Sequence, residues 1–170
     1  MIRFTAFLSL LFLILAPTTL VAADGKASGI DPSSFRWSAR CTEIPSPRIA
    51  VCRVVPDVEQ GINYNATFVP VTFQIDNQKG RSVTVGGDQN CLEHPAILRF
   101  GKNPPFEIST RSNLNGATFD RVIQEFRAAK TGTVEYAPLP DCKRVTATFY
   151  YSNLDEALAK ALAYVNGDTN

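Results

Sequence analysis

Cys91-Leu92-Glu93-His94 brings a thiol, a carboxylate and the chain's single histidine within four residues. Those residue types could supply a nucleophile with its base, or part of a zinc ligand set. Covalent chemistry at sulfur requires a thiolate, and a cysteine held in a disulfide has none to give. A structural zinc site requires a second pair of cysteines or histidines at short spacing, which the chain lacks. The bland reading of this loop, a disulfide with an exposed histidine beside it, is therefore preferred. The sequence carries no GxSxG, no phosphate-binding glycine loop, no dinucleotide fingerprint and no calcium loop. The carboxylates are scattered at turns and helix starts, where capping accounts for them, although a pair that converges only in three dimensions would escape such a reading. Neither a catalytic residue, a metal ligand nor a cofactor-binding residue is predicted, and no cofactor is expected.

A second group of interest is Arg36, Trp37 and Arg40. In Phe35–Cys41 the residues Phe35, Trp37, Ala39 and Cys41 alternate with Arg36, Ser38 and Arg40, the period of a strand with one buried face and one wet face. The tryptophan belongs to the apolar face and the arginines to the polar one. A solvated face is the default for such a stripe, and a binding surface formed by Arg36, Trp37 and Arg40 is the functional alternative.

The elements that position these groups begin with the address of the chain. Arg3 precedes an apolar run from Phe4 to Ala16, and Val21-Ala22-Ala23 suits a signal peptidase, so residues 1–23 read as a signal peptide. The run is too short for a membrane span, which takes about 20 residues. Cleavage would leave 147 of 170 residues with 16 basic and 16 acidic side chains. A neutral chain lacks the basic excess of a nucleic-acid or anionic-membrane binder. The expected location is periplasmic or secreted, with no nucleic acid as partner and no membrane span once the signal peptide is removed.

Four cysteines in an exported chain read as two disulfides. Of the three connectivities, Cys41–Cys52 with Cys91–Cys142 is preferred, because the first pair closes a hairpin of Phe35–Cys41 with Ile49–Val55. Residues 24–34 read as a flexible lead-in and 35–170 as one domain. Further strands are predicted over Phe68–Asp76, Ser82–Val85, Ala96–Phe100, from Phe106, from Val134 to Tyr136, and over Cys142–Tyr151. Phe119, Val122, Ile123 and Phe126 recur at helical spacing, with Thr118 as N-cap and Lys130 with Gly132 closing the helix. A last helix carries Leu154, Leu158, Leu162 and Val165 on one side, capped by Ser152 or Asn153, with a capping box through Asp155 or Glu156, and ends at Gly167. The fold class is thus mainly β: an antiparallel β-sandwich with one amphipathic helix before the last strands, one C-terminal helix packed with the first over an end or edge, and two disulfides.

The signal peptide, Trp37-x-x-x-Cys41, Cys52 with its apolar strand, and the aromatic strand leading into the Leu- and Ala-rich end resemble the invasion-associated locus B family, small exported proteins of Gram-negative bacteria. The stretch RVTATFYYSNLDEALAKAL is also similar to the end of periplasmic proteins associated with type VI secretion. The first resemblance implies a periplasmic or surface-associated β-sandwich without enzymatic activity, linked in some bacteria to invasion of host cells. The resulting expectation is a non-enzymatic binding or scaffold protein whose partner is a macromolecule of the envelope or of a host. An inhibitor of a wall-degrading enzyme such as lysozyme, an accessory protein of type VI secretion, and a carboxylate-dependent envelope hydrolase are the alternatives.

Overall fold

The computed structural model describes residues 32–45, 48–57, 71–86, 91, 94–109 and 113–168. The expected signal peptide, residues 24–31 of the lead-in, and Phe68 to Pro70 lie outside the described residues. In chain order the elements are β1 (Trp37–Pro45), β2 (Arg48–Pro56), β3 (Val71–Asp76), β4 (Gly80–Val85), β5 (Ala96–Phe100), β6 (Phe106–Ile108), β7 (Leu114–Asn115), α1 (Gly116–Ala129), β8 (Thr131–Tyr136), β9 (Val145–Tyr150) and α2 (Leu154–Asn166). They form two antiparallel sheets, one ordered β1-β2-β3-β4-β7 and the other β6-β5-β8-β9. The mainly β fold with two helices and two disulfides is as expected from the alternating pattern. Both bridges have the preferred pairing, Cys41–Cys52 and Cys91–Cys142, and the described residues include no free cysteine.

Period-two alternation sets the inner faces. Val71, Phe73 and Ile75 of β3, Val83 and Val85 of β4, and Ala50, Cys52 and Val54 of β2 are all buried on one side of the first sheet. Leu98 and Phe100 of β5, Val134 of β8, and Ala147 and Phe149 of β9 are buried in the second. Trp37 joins the two layers: its ring lies 5.3 Å from that of Phe73, 6.3 Å from Phe149 and 6.3 Å from Phe126 of α1. Edge-to-face packing of this kind contributes about 0.5–1.5 kcal/mol per pair beyond burial. Its indole Nε1–H donates to the Tyr150 carbonyl at 2.8 Å, so the one polar atom of the side chain is satisfied.

The helices sit differently from the expected end or edge. α2 packs on β1, β2 and β3, and α1 touches β4 and β7 of one sheet and β5 and β8 of the other. Their termini also correct the sequence reading. Asn115, not Thr118, is the N-cap of α1, because the chain turns at Gly116 in the left-handed region (φ 53°) and enters the helix three residues early. Lys130 alone closes α1, with φ 64° and its N–H on the Phe126 carbonyl. Gly132 belongs to β8 and serves packing: a Cβ there would stand 2.5 Å from Phe149 Cζ and 2.8 Å from Phe100 Cε1. β1 starts two residues later than predicted and runs on to Pro45, and β9 starts at Val145 rather than at Cys142, whose φ of 53° no strand can hold. Leu162 is 38% exposed, at the margin of the α2 stripe rather than in the core.

Candidate functional site

β1 is an edge strand of the first sheet with no further strand beside it among the described residues, and its hydrogen-bond parity says which groups it offers. The Cys41 and Cys52 Cα atoms are 4.1 Å apart, the spacing of a non-hydrogen-bonded antiparallel pair. The Arg36 carbonyl, by contrast, accepts from the Asp57 N–H at 2.8 Å. Even-numbered residues of β1 therefore bond to β2, and the odd-numbered ones turn N–H and C=O away from the sheet. Ala50, opposite Glu43, fits the same parity, since its N–H and carbonyl turn to the other side, where Asn77 takes both.

Among the described residues, the outward groups of β1 are closed at one end only. Asn153, the residue before α2, accepts from the Trp37 N–H through Oδ1 at 2.8 Å and donates to the Trp37 carbonyl through Nδ2 at 3.1 Å. Its amide thus imitates one residue of a neighbouring strand. Asn153 was expected to cap α2, and it holds the N-cap position, but no side-chain cap bond forms because the amide is committed to β1. Beyond it, the edge groups of Ala39, Cys41 and Glu43 have no hydrogen-bond partner among the described residues. Pro45 ends the edge, having no N–H to offer.

Two walls flank this edge. On the inner side a groove of about 490 Å³ runs between β1 and α2, lined by Trp37, Ala39, Cys41, Asn153, Lys160 and Tyr164 among others. On the outer face Arg40 lies directly opposite Arg53 of β2, and both are exposed. Neither has an ion pair among the described residues. Like charges facing each other across a sheet are destabilising by roughly 0.2–1 kcal/mol. Further along the same face Ile44 is 57% exposed.

The three residues singled out from the sequence thus separate. Trp37 is 2% exposed and belongs to the core, meeting the surface only where it lines the groove. Arg36 folds back, its Nη1 donating to the Ser33 and Phe35 carbonyls at 2.8 and 2.9 Å. Arg36 and Arg40 are both exposed and neither has an ion pair among the described residues; Arg40 differs in having no side-chain hydrogen bond there either. The sequence pattern does not single out Arg53, Lys160 or Tyr164; Arg53 is legible as a residue sharing the hairpin's polar face, while the α2 residues carry no signal.

At the other candidate, Cys91 is joined to Cys142, and its carbonyl accepts from the His94 N–H at 3.1 Å. Asp88 and Glu93 lie outside the described residues, and neither His94 nor Asp141 has a side-chain hydrogen bond or ion pair among those described. The described residues contain no group of three or more His, Cys, Asp or Glu arranged to hold a metal.

A cleft between α1 and α2 does include two carboxylates in its lining, Asp120 of α1 and Asp155 of α2. Each is held by an arginine: Arg81 grips Asp120 with 2.8 and 3.1 Å contacts, and Arg127 pairs with Asp155. Arg127 and then Tyr151, whose hydroxyl donates at 2.6 Å, hold the Asp155 carboxyl below its ordinary range. Burial and the Asp155 carboxylate push the Tyr151 phenol up to about 12. Glycoside cleavage by two carboxyls needs one that keeps its proton near neutrality. Asp155, an acid made stronger, is the reverse of that, and the cluster ties the start of α2 to α1.

The chain matches no protein-family profile, no curated protein and no solved structure.

Proposed function

We propose that this chain is a non-enzymatic binding or scaffold protein of the bacterial envelope, periplasmic or surface-associated, akin to invasion-associated locus B proteins. Two disulfides support an oxidising compartment, where such bridges persist. No helix among the described residues is long and apolar enough to cross a membrane. The observation that carries the binding reading is the pair Arg40 and Arg53, facing each other unneutralised beside an open strand edge. Such a pair costs stability in the free protein, and a partner that supplies negative charge offsets the cost on binding.

The test is capture from envelope extract on the immobilised mature chain, with a variant carrying both Arg40→Glu and Arg53→Glu as control. A protein retained by the first and lost by the second is expected, with the loss of retention as salt is raised. Equal retention on both surfaces, or none on either, overturns the reading.

A further inference from the structure

Resting on that binding reading, the geometry points to its mode: we propose that an extended, acidic segment of another polypeptide adds to β1 as the sixth strand of the first sheet. The backbone defines the footprint. Ala39, Cys41 and Glu43 each turn one N–H and one C=O outward, between the Asn153 clamp at Trp37 and the proline at 45. At about 3.3 Å per residue this edge pairs a segment of about six residues. An added strand obtains affinity from those main-chain bonds and selectivity from alternate side chains.

The two walls then specify the alternation. On the outer face, the partner residue beside Arg40 lies next to two unneutralised guanidiniums, which selects Asp or Glu there. Four positions on, past Thr42, the neighbour is exposed Ile44, which favours an apolar side chain. On the inner face, partner side chains enter the groove against α2, where Lys160 and Tyr164 stand at the wall. Lys160 already pairs with Glu156, and Glu43 with Arg48, so the charge that lacks a counterpart is that of Arg40 and Arg53. A second copy joined edge to edge is disfavoured by the same fact: it would bring two more unpaired arginines onto one face. An acidic segment neutralises the pair instead.

The test starts from a library of random nine-residue peptides displayed on phage, selected against the full mature chain and counter-selected against Arg40→Glu. Enriched peptides are expected to carry Asp or Glu at one fixed position with an apolar residue four positions away, and to bind the wild type at least ten times more tightly than Arg40→Glu. N-methylation of one alternate set of peptide amides should abolish binding, and methylation of the other set should leave it unchanged. That readout leaves the protein untouched and is independent of how any variant folds. Ala39→Pro, which removes an N–H pointing away from the sheet, should lower affinity at least ten-fold with Trp37 fluorescence preserved. No enrichment, enrichment without a fixed acidic position, or indifference to the position of N-methylation overturns the proposal. So does a dimer in sedimentation that Ala39→Pro abolishes, since the edge then serves a second copy. An envelope protein captured by the wild type and by Ala39→Pro alike would refute strand addition and leave the binding function standing.

Discussion

Replacing Asn153 by Ala removes both bonds that hold Trp37 at the start of the free edge. Asn153 makes no cap bond to α2, so the helix itself loses nothing when the side chain is truncated. What disappears is the 2.8 Å bond from the Trp37 N–H and the 3.1 Å bond to its carbonyl. At about 1 kcal/mol net for each, the cost is about 2 kcal/mol, which lowers the melting temperature by roughly 4–8 °C for a domain of this size. Asn153→Asp sharpens the test. The carboxylate still accepts from the Trp37 N–H but sets a second oxygen against the Trp37 carbonyl, so at neutral pH it should destabilise at least as much as Ala. Below about pH 4 the protonated acid can donate again and part of the loss should return. The assay is urea unfolding followed by the fluorescence of Trp37, the only tryptophan, together with hydrogen exchange at its backbone amide. An unchanged midpoint and an equally protected Trp37 amide in Asn153→Ala would refute the clamp.

Gly132→Ala should cost about 1–3 kcal/mol by overpacking, because its Cβ falls 2.5 Å from the Phe149 ring, and adding Phe149→Leu should recover part of that in a double-mutant cycle. Replacing Cys41 and Cys52 with Ala should lower stability by about 3 kcal/mol and replacing Cys91 and Cys142 by about 4, since the enclosed loops differ; their sequence separations are 11 and 51. Urea midpoints at equal slope decide the order, and a larger cost for the shorter loop would count against it. The raised Tyr151 pKa favours the protonated phenol in the folded state, so its contribution is complete below pH 10 and is lost as pH rises toward about 12. Unfolding midpoints measured from pH 9 to 12 should fall less steeply in Tyr151→Phe, and parallel curves would contradict the assignment.

How much of this was legible in the residues follows from which forces are local. Val71, Phe73 and Ile75 alternate because one sheet face is buried, and Phe119, Val122, Ile123 and Phe126 recur because one helix face is; both patterns read directly from the chain. The disulfide pairing followed from the hairpin that brings Cys41 to Cys52, with the other pair left by elimination. Gly132 looks like a helix closer in its own neighbourhood but packs against two facing rings, and Asn153 holds the N-cap position as expected while its side chain serves a partner 116 residues away. The polar stripe of its strand marks Arg40, whereas Trp37 alternates to the opposite face of the same strand. The open edge itself was invisible, since strand order is a property of the assembled sheet and no residue type announces it.

Hydrogen exchange along β1 tests the central claim most directly, because open-edge parity predicts a sawtooth. The amides of Ser38, Arg40, Thr42 and Ile44 should be protected and those of Ala39, Cys41 and Glu43 should exchange rapidly, with Trp37 slow through Asn153. On addition of a selected acidic peptide the three rapid amides should slow together. Uniform protection along β1 in the free protein would contradict the open edge and the strand addition built on it.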